Sequence, residues 1–184
     1  MSIRISATEL PGILLIEPRV FEDQRGFFLE THHQRKYSQA GLDVNFVQDN
    51  HSHSRLNTLR GLHYQLAHPQ GKLIYATSGE IFDVAVDLRR SSSTFRKWYG
   101  VRLSSETHLQ IYIPPGFAHG FCVLSDSADV VYKCTEFYDA EDELGVLWSD
   151  PDIGIRWPIS QPLLSAKDSV LPVLSQLPAD RLPY

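Results

Sequence analysis

Several short stretches of this 184-residue chain carry side chains able to move protons or hold an anion. The run Leu59-Arg60-Gly61-Leu62-His63-Tyr64-Gln65 reads as a strand, which puts His63 and Gln65 on one face and Arg60, Leu62 and Tyr64 on the other. An imidazole held on a concave sheet face can serve as a general base near neutral pH. Taken alone, a histidine in a strand is more often a hydrogen-bonded structural residue. Val130 to Tyr138 alternates too, so Tyr132 and Tyr138 point together, one a candidate proton donor and the other a candidate stacking surface. For either tyrosine alone, aromatic packing is the simpler reading.

Gln70-Gly71-Lys72-Leu73 opens a strand, and Ile113-Pro114-Pro115-Gly116-Phe117-Ala118-His119-Gly120-Phe121 makes a rigid turn that presents His119 as a strand begins. Lys72 and His119 either line a pocket or stand as a solvated strand end and a turn-stabilising hydrogen bond. Asp23 to Glu30 sets Arg25 and Glu30 around the pair Phe27 and Phe28, which core packing would also explain. Gln48-Asp49-Asn50-His51 concentrates amides, as a polar turn does.

A metal site is the competing chemistry. His51-Ser52-His53 supplies the His-x-His pair common in jelly-roll metal sites, but no glutamate follows until Glu80, so a shell of three histidines and one carboxylate cannot be assembled from it. Pro114, Gly116 and His119 resemble the second half of such a pattern, without the asparagine expected downstream. No metal ligands and no cofactor are assigned.

The elements that must position these residues are mostly short strands separated by Gly, Pro, Asn and Asp: Ile13 to Ile16, Gly26 to Glu30, Leu59 to Gln65, Lys72 to Thr77, Glu80 to Leu88, Trp98 to Leu103, Gln110 to Ile113, Phe117 to Leu124 and Val130 to Phe137. That spacing predicts an antiparallel β-sandwich or jelly roll. In Glu80 to Leu88, Phe82, Val84, Val86 and Leu88 share one face and Asp83 and Asp87 the other, the pattern of a half-buried strand with its acids in solvent. One helix is expected over His32 to Ala40, stopped by Gly41, and a short turn near Ala140 to Leu144. The Pro-rich end from Pro158 reads as irregular chain wrapped on a single domain spanning 1–184.

Composition narrows the function. A net charge of -5 gives no basic surface for nucleic acid or an anionic membrane, although a few placed cations suffice for a nucleotide. The first residues carry no basic stretch followed by an apolar one, and no run approaches the roughly 20 apolar residues that span a bilayer, so the expected compartment is the cytoplasm. Cys122 and Cys134, in apolar runs, read as buried free thiols. Neither a glycine-rich dinucleotide loop nor a nucleophile elbow is present.

Taken in order, Asp23 to Glu30, Gln48 to His51, Leu59 to Gln65, Gln70 to Leu73, Ile113 to Phe121, Tyr132 to Tyr138, Trp148 to Pro151 and Leu164-Ser165-Ala166-Lys167-Asp168 closely resemble the dTDP-4-dehydrorhamnose 3,5-epimerase family over nearly the whole chain. The resemblance implies a cupin-type jelly roll, usually a homodimer whose subunits exchange N-terminal strands, and catalysis without metal. It implies His63 as general base, Asp168 as its orienting carboxylate and Tyr132 as general acid on the opposite face of the sugar. Lys72 suits the developing enolate oxygen. Substrate contacts carried over by the motifs are Arg25, Glu30, Gln48, Asn50, Arg60, Lys72, His119, Glu143 and Lys167. Arg25, Arg60 and Lys167 suit the diphosphate, and Phe28 or Tyr138 could stack on thymine. The substrate so implied is dTDP-4-dehydro-6-deoxy-D-glucose, inverted at C3 and C5 to dTDP-4-dehydro-L-rhamnose. The loop Leu66 to Pro69 looks one residue shorter than in some members. Alternatives are a single-centre epimerase or keto-isomerase of a related dTDP-sugar, a non-catalytic sugar-nucleotide binding module, and a metal-dependent cupin.

Overall fold

A computed structural model describes residues 3–184. Thirteen strands and one α-helix run in the order β1 (Arg4–Ala7), β2 (Leu14–Glu17), β3 (Val20–Asp23), β4 (Gly26–Leu29), α1 (Gln34–Gln39), β5 (Gln48–Arg55), β6 (Leu59–Gln65), β7 (Lys72–Ser78), β8 (Glu80–Asp87), β9 (Trp98–Ser104), β10 (Gln110–Ile113), β11 (Phe117–Val123), β12 (Ser127–Cys134) and β13 (Glu143–Gly145). One sheet has the order β1-β2-β10-β7-β12-β5 and the other β13-β6-β11-β8-β9. Their strands pair antiparallel throughout, and β3 and β4 form a hairpin joined to neither sheet. This is the jelly-roll sandwich that the strand spacing predicts.

Alternation explains the middle of the sandwich. Ile74, Ile111, Ile113, Ala128 and Val130 from the larger sheet meet Ile81, Ala85, Leu103, Phe117, Phe121 and Val123 from the smaller one, all nearly or fully buried. Each of the larger side chains, the alanines apart, contributes roughly 1.5–3 kcal/mol of apolar burial, so this interface is a main source of the favourable side of folding.

The smaller sheet is buried on its other face too. Leu62, Tyr64, Val84, Val86, Leu88 and Ala118 pack under Ile153, Trp157, Leu174, Leu177 and Leu182 of the C-terminal segment, which is irregular chain with short 3-10 turns. Here the expectation of a half-buried β8 fails, because Asp83 and Asp87 are both fully buried. Their face is the inner one, and each acid persists there because it is hydrogen-bonded: Asp83 to His119, and Asp87 to Arg89, Ser92 and Thr94. Alternation cannot separate a solvated acid from a partnered buried one.

Helix α1 is shorter than the expected His32 to Ala40 span, with Tyr37 buried over Ile16, Leu73 and Tyr112 on the outside of the larger sheet. The expected turn near Ala140 to Leu144 occupies Ala140 to Asp142, and the chain then becomes β13 beside β6. Strands β1, β3, β5 and β13 were not among the expected runs. Strand β5 is the instructive one: Gln48-Asp49-Asn50-His51-Ser52-His53-Ser54-Arg55 contains no apolar residue and reads as a turn, yet Gln48, Asn50, Ser52 and Ser54 face inward while Asp49, His51, His53 and Arg55 face out. Its pairing with β12 along all eight residues supplies what intrinsic propensity lacks. No helix among the described residues is long and apolar enough to cross a membrane.

Candidate active site

A cavity of about 680 Å³ opens at the end of the sandwich between β5, β7 and β12 of one sheet and β6, β11 and β13 of the other. Its lining includes His63, Tyr132, Asp168, Lys72, Gln48, Asn50, Arg60, His119, Tyr138, Glu143 and Lys167. The structure thus brings together these sequence-selected residues from distant segments. Arg25, Phe28 and Glu30 are the exceptions. They lie on or just after the β3–β4 hairpin, where Arg25 pairs with Asp23, Glu30 pairs with Lys36, and Phe28 is 65% exposed beside Phe21.

Arg60 and His63 share the cavity, contrary to the period-two expectation that puts them on opposite faces. The register explains it: His119 pairs with His63 but Phe121 pairs with Arg60, so β6 carries one extra residue between them and its side-chain alternation shifts by one. Gly61 sits at the bulge with φ of 113°, and a Cβ there would lie 2.6 Å from the His119 carbonyl oxygen. Glycine is what lets β6 and β11 approach at this point.

His63 is anchored from far along the chain. Leu163 bonds in parallel beside Thr58, with the Leu59 N–H donating to the Leu163 carbonyl, so the segment after it folds over β6 and delivers Asp168. Asp168 Oδ1 lies 2.7 Å from His63 Nε2, and its other oxygen accepts from the Gly61 N–H. Burial alone would raise the Asp168 carboxyl, but the hydrogen bond and charge of His63, with the Gly61 and Ser165 donors, hold it below the usual carboxylate range. The ionised Asp168 orients the imidazole through Nε2 and leaves Nδ1 without a hydrogen-bond partner among the described residues. Glu143 Oε1 is 3.6 Å from that Nδ1.

Tyr132 enters from β12, on the sheet opposite β6. Burial chiefly, with Cys134 and Glu143 nearby, pushes its phenol above the usual value although Arg60 opposes, so it stays protonated. A protonated phenol and an imidazole that enter one cavity from opposite sheets can deliver a proton to one side of a carbon and remove one from the other. Lys72 is not a solvated strand end: burial lowers its ammonium, while Cys134, Glu143 and Asp83 oppose the shift. A desolvated cation is suited to an oxyanion that forms during reaction. His119 also points inward, its Nε2 bound to Asp83 at 2.8 Å.

The rim is a linked polar set. Tyr138 donates to Glu143, which also pairs with Lys167, and the Arg60 guanidinium is steadied by Ser54. Tyr138 itself lies past the end of β12, so strand alternation does not set its direction; the Gln48 side-chain oxygen accepts its backbone N–H. The Leu66 to His68 turn is held by Asp142, whose carboxylate accepts three successive backbone N–H groups. Sequence reasoning missed Asp142, Asp83 and Ser52. Ser52 lines the cavity with a buried hydroxyl that has no partner among the described residues. Reading Gln48 to Arg55 as a strand would have found it, two residues beyond Asn50. The His51 and His53 rings, in contrast, stand on the outer face of β5, both on Asp129.

Comparison with known proteins points to a single family. The family profile of dTDP-4-dehydrorhamnose 3,5-epimerase matches residues 7–176. A dTDP-4-dehydrorhamnose 3,5-epimerase of Shigella flexneri is 56% identical over 168 residues, covering 90% of this chain and 93% of the relative. Among solved structures, a dTDP-6-deoxy-D-glucose-3,5-epimerase of Legionella pneumophila in complex with dTDP-4-keto-L-rhamnose superposes with a TM-score of 0.95 at 46% identity, covering 98% of this chain and 97% of that one. A 3'-monoepimerase of Streptomyces bikiniensis in complex with dTDP-quinovose reaches a TM-score of 0.88 at 35% identity, covering 96% and 91%. By its profile, its relatives and its fold, the chain belongs to the dTDP-4-dehydrorhamnose 3,5-epimerase family.

Proposed function

We propose that this protein inverts C3 and C5 of dTDP-4-dehydro-6-deoxy-D-glucose to give dTDP-4-dehydro-L-rhamnose, acting in the cytoplasm as a single epimerase domain. The observation that carries the reading is the pairing, in one cavity, of a carboxylate-anchored histidine on one sheet with a protonated tyrosine on the other. His63 Nδ1 takes the proton from the carbon beside the ketone, and the electron pair moves through the new C–C double bond to oxygen. Lys72 meets the charge that arrives there. Tyr132 then protonates the opposite side of the carbon as the enolate collapses back to the ketone, and the centre is inverted with no redox change. Arg60 and Lys167 suit the diphosphate, and Tyr138, half exposed at the rim, suits the thymine.

The family resemblance assigns Arg25 and Glu30 to substrate as well, Phe28 is a candidate to stack on thymine, and all three lie off this chain's own cavity. We therefore propose a homodimer in which the β3–β4 hairpin of one protomer reaches the cavity of its partner. The exposure of Phe21, Phe27 and Phe28 on a hairpin joined to neither sheet supports it. Analytical ultracentrifugation of Phe27→Asp decides: a shift toward monomer with loss of activity is expected, and an unshifted dimer refutes the hairpin's part.

The test of the function is incubation with the substrate in deuterated water, with NMR and mass spectrometry at each sugar carbon. Uptake at C3 and C5 with L-configured product is expected. Uptake at one carbon alone would favour the single-centre reading, to which the Streptomyces bikiniensis relative gives weight. No uptake by folded, dTDP-binding protein would overturn epimerisation.

A further inference from the structure

One base and one acid serve two inversions on the same substrate, and that sets a proton-accounting problem. After the first inversion His63 holds an extra proton on Nδ1 and Tyr132 lacks one. Neither can repeat its step until both are restored. Resting on the epimerase reading above, we infer that Glu143 is the group that resets His63 between the two inversions, and so is a catalytic residue rather than a substrate contact only.

The geometry supplies the route. His63 is flanked at both ring nitrogens: Asp168 holds Nε2 at 2.7 Å, while Glu143 Oε1 stands 3.6 Å from Nδ1, the nitrogen that receives the substrate proton. Glu143 reaches this position because β13 pairs with β6, with Gly145 opposite His63 and Glu143 opposite Gln65. Its second oxygen, Oε2, faces outward, accepting from the Tyr138 hydroxyl at 3.0 Å and pairing with the Lys167 ammonium. Both of those partners are about half exposed, Tyr138 at 52% and the Lys167 side chain also at 52%, whereas the Glu143 side chain is only 14% exposed. One carboxylate thus joins the interior imidazole to the solvent side of the cavity.

The protons balance as follows. A water bridging the 3.6 Å separation relays the His63 Nδ1–H proton to Glu143 Oε1, and the imidazole returns to its neutral form with the remaining proton on Nε2. Glu143 passes the proton to water at the rim. A water gives one proton to the Tyr132 phenolate, and the hydroxide left behind is neutralised by the proton released from Glu143. No net proton is consumed and no electron changes hands. Lys167 couples this step to substrate. Burial works to raise the Glu143 carboxyl, and the pairing with Lys167 is the largest influence holding it below its usual range. A diphosphate that engages Lys167 loosens that hold and makes Glu143 a better proton acceptor.

The experiment compares Glu143→Gln with the native enzyme in deuterated water, by rapid quench and NMR, and reads the ratio of second-inversion to first-inversion rate. The dTDP affinity of each variant is measured by calorimetry alongside, and the ratio is read in single turnover with enzyme in excess, so that released intermediate rebinds and weakened binding is separated from a failed reset. The expected result is a fall in the ratio of at least about tenfold, with singly inverted product accumulating. Glu143→Ala, with formate added as a diffusible carboxylate, is expected to recover the second inversion in proportion to formate concentration, and it serves equally if the glutamine variant does not fold. An unchanged ratio in either variant, or no response to formate, overturns the assignment and leaves Glu143 a binding residue. Failure of the epimerase reading itself is distinguishable, since the native enzyme would then show no uptake at two carbons.

Discussion

Asp83 and His119 form a second acid–imidazole pair beside the first: Asp83 Oδ2 lies 2.8 Å from His119 Nε2, and His119 is the cross-strand neighbour of His63. Asp83 is fully buried, and its other oxygen has no hydrogen-bond partner among the described residues. Such a carboxylate is tolerated only while its one strong contact persists.

His119→Ala is therefore expected to cost about 1–3 kcal/mol, because it strands Asp83 without a donor. The double variant His119→Ala with Asp83→Ala is expected to be no less stable than the single one. Chemical denaturation of both checks this, and additive losses would show that the two residues act independently.

His63→Ala and Tyr132→Phe are expected to separate the two halves of proton transfer. Loss of the base removes exchange at both carbons, a fall of roughly 10²–10⁴ in turnover, while calorimetric affinity for dTDP changes little. Loss of the phenol impairs product formation and leaves some deuterium exchange, since His63 can still take the proton and return a deuteron to the same face. Equal loss of binding and activity in Tyr132→Phe would assign that ring to packing.

Gly61→Ala meets two obstacles at once, a left-handed φ of 113° and a Cβ site 2.6 Å from backbone oxygen. Strain of this kind costs about 1–3 kcal/mol, before any shift of β11. A melting temperature lowered by roughly 2–10 °C is expected, with catalysis falling further than stability because His63 and His119 are the residues displaced. A melting temperature and turnover within error of the native protein would mean that β6 and β11 can separate freely here.

Asp87 predicts an acid-dependent term. Burial would raise its carboxyl, but Arg89, Ser92 and Thr94 donate to it and hold it below the usual value. A carboxyl lowered by folding stabilises the protein above its unfolded value, near pH 4, and that stabilisation drains away as pH falls through the lower folded value. Asp87→Asn should thus cost roughly 2 kcal/mol at pH 7, and the gap to the native protein should narrow below about pH 4. A gap independent of pH would assign the loss to packing.

Much of the fold is legible locally. The strands Lys72–Ser78, Glu80–Asp87, Trp98–Ser104, Gln110–Ile113 and Phe117–Val123 fall where alternating and β-branched runs place them, because half the side chains of each must leave water. Strand β5 does not, since its residues have no apolar face to hide and are ordered by β12 alone.

The residue types able to do the chemistry are determined by the sequence: a histidine on β6, a tyrosine on β12, a lysine opening β7, and the motif order that marks the family. Their relationships are not. Asp168 reaches His63 across 105 positions only because Leu163 docks beside β6, and Arg60 joins His63 only because an extra residue at Gly61 shifts the alternation. Asp83 and Asp87 lie inside rather than in solvent because partners from other segments satisfy them there. Period and propensity act over a few residues, whereas the partner of a buried charge is chosen by which distant segments the packed sheets bring within hydrogen-bonding reach.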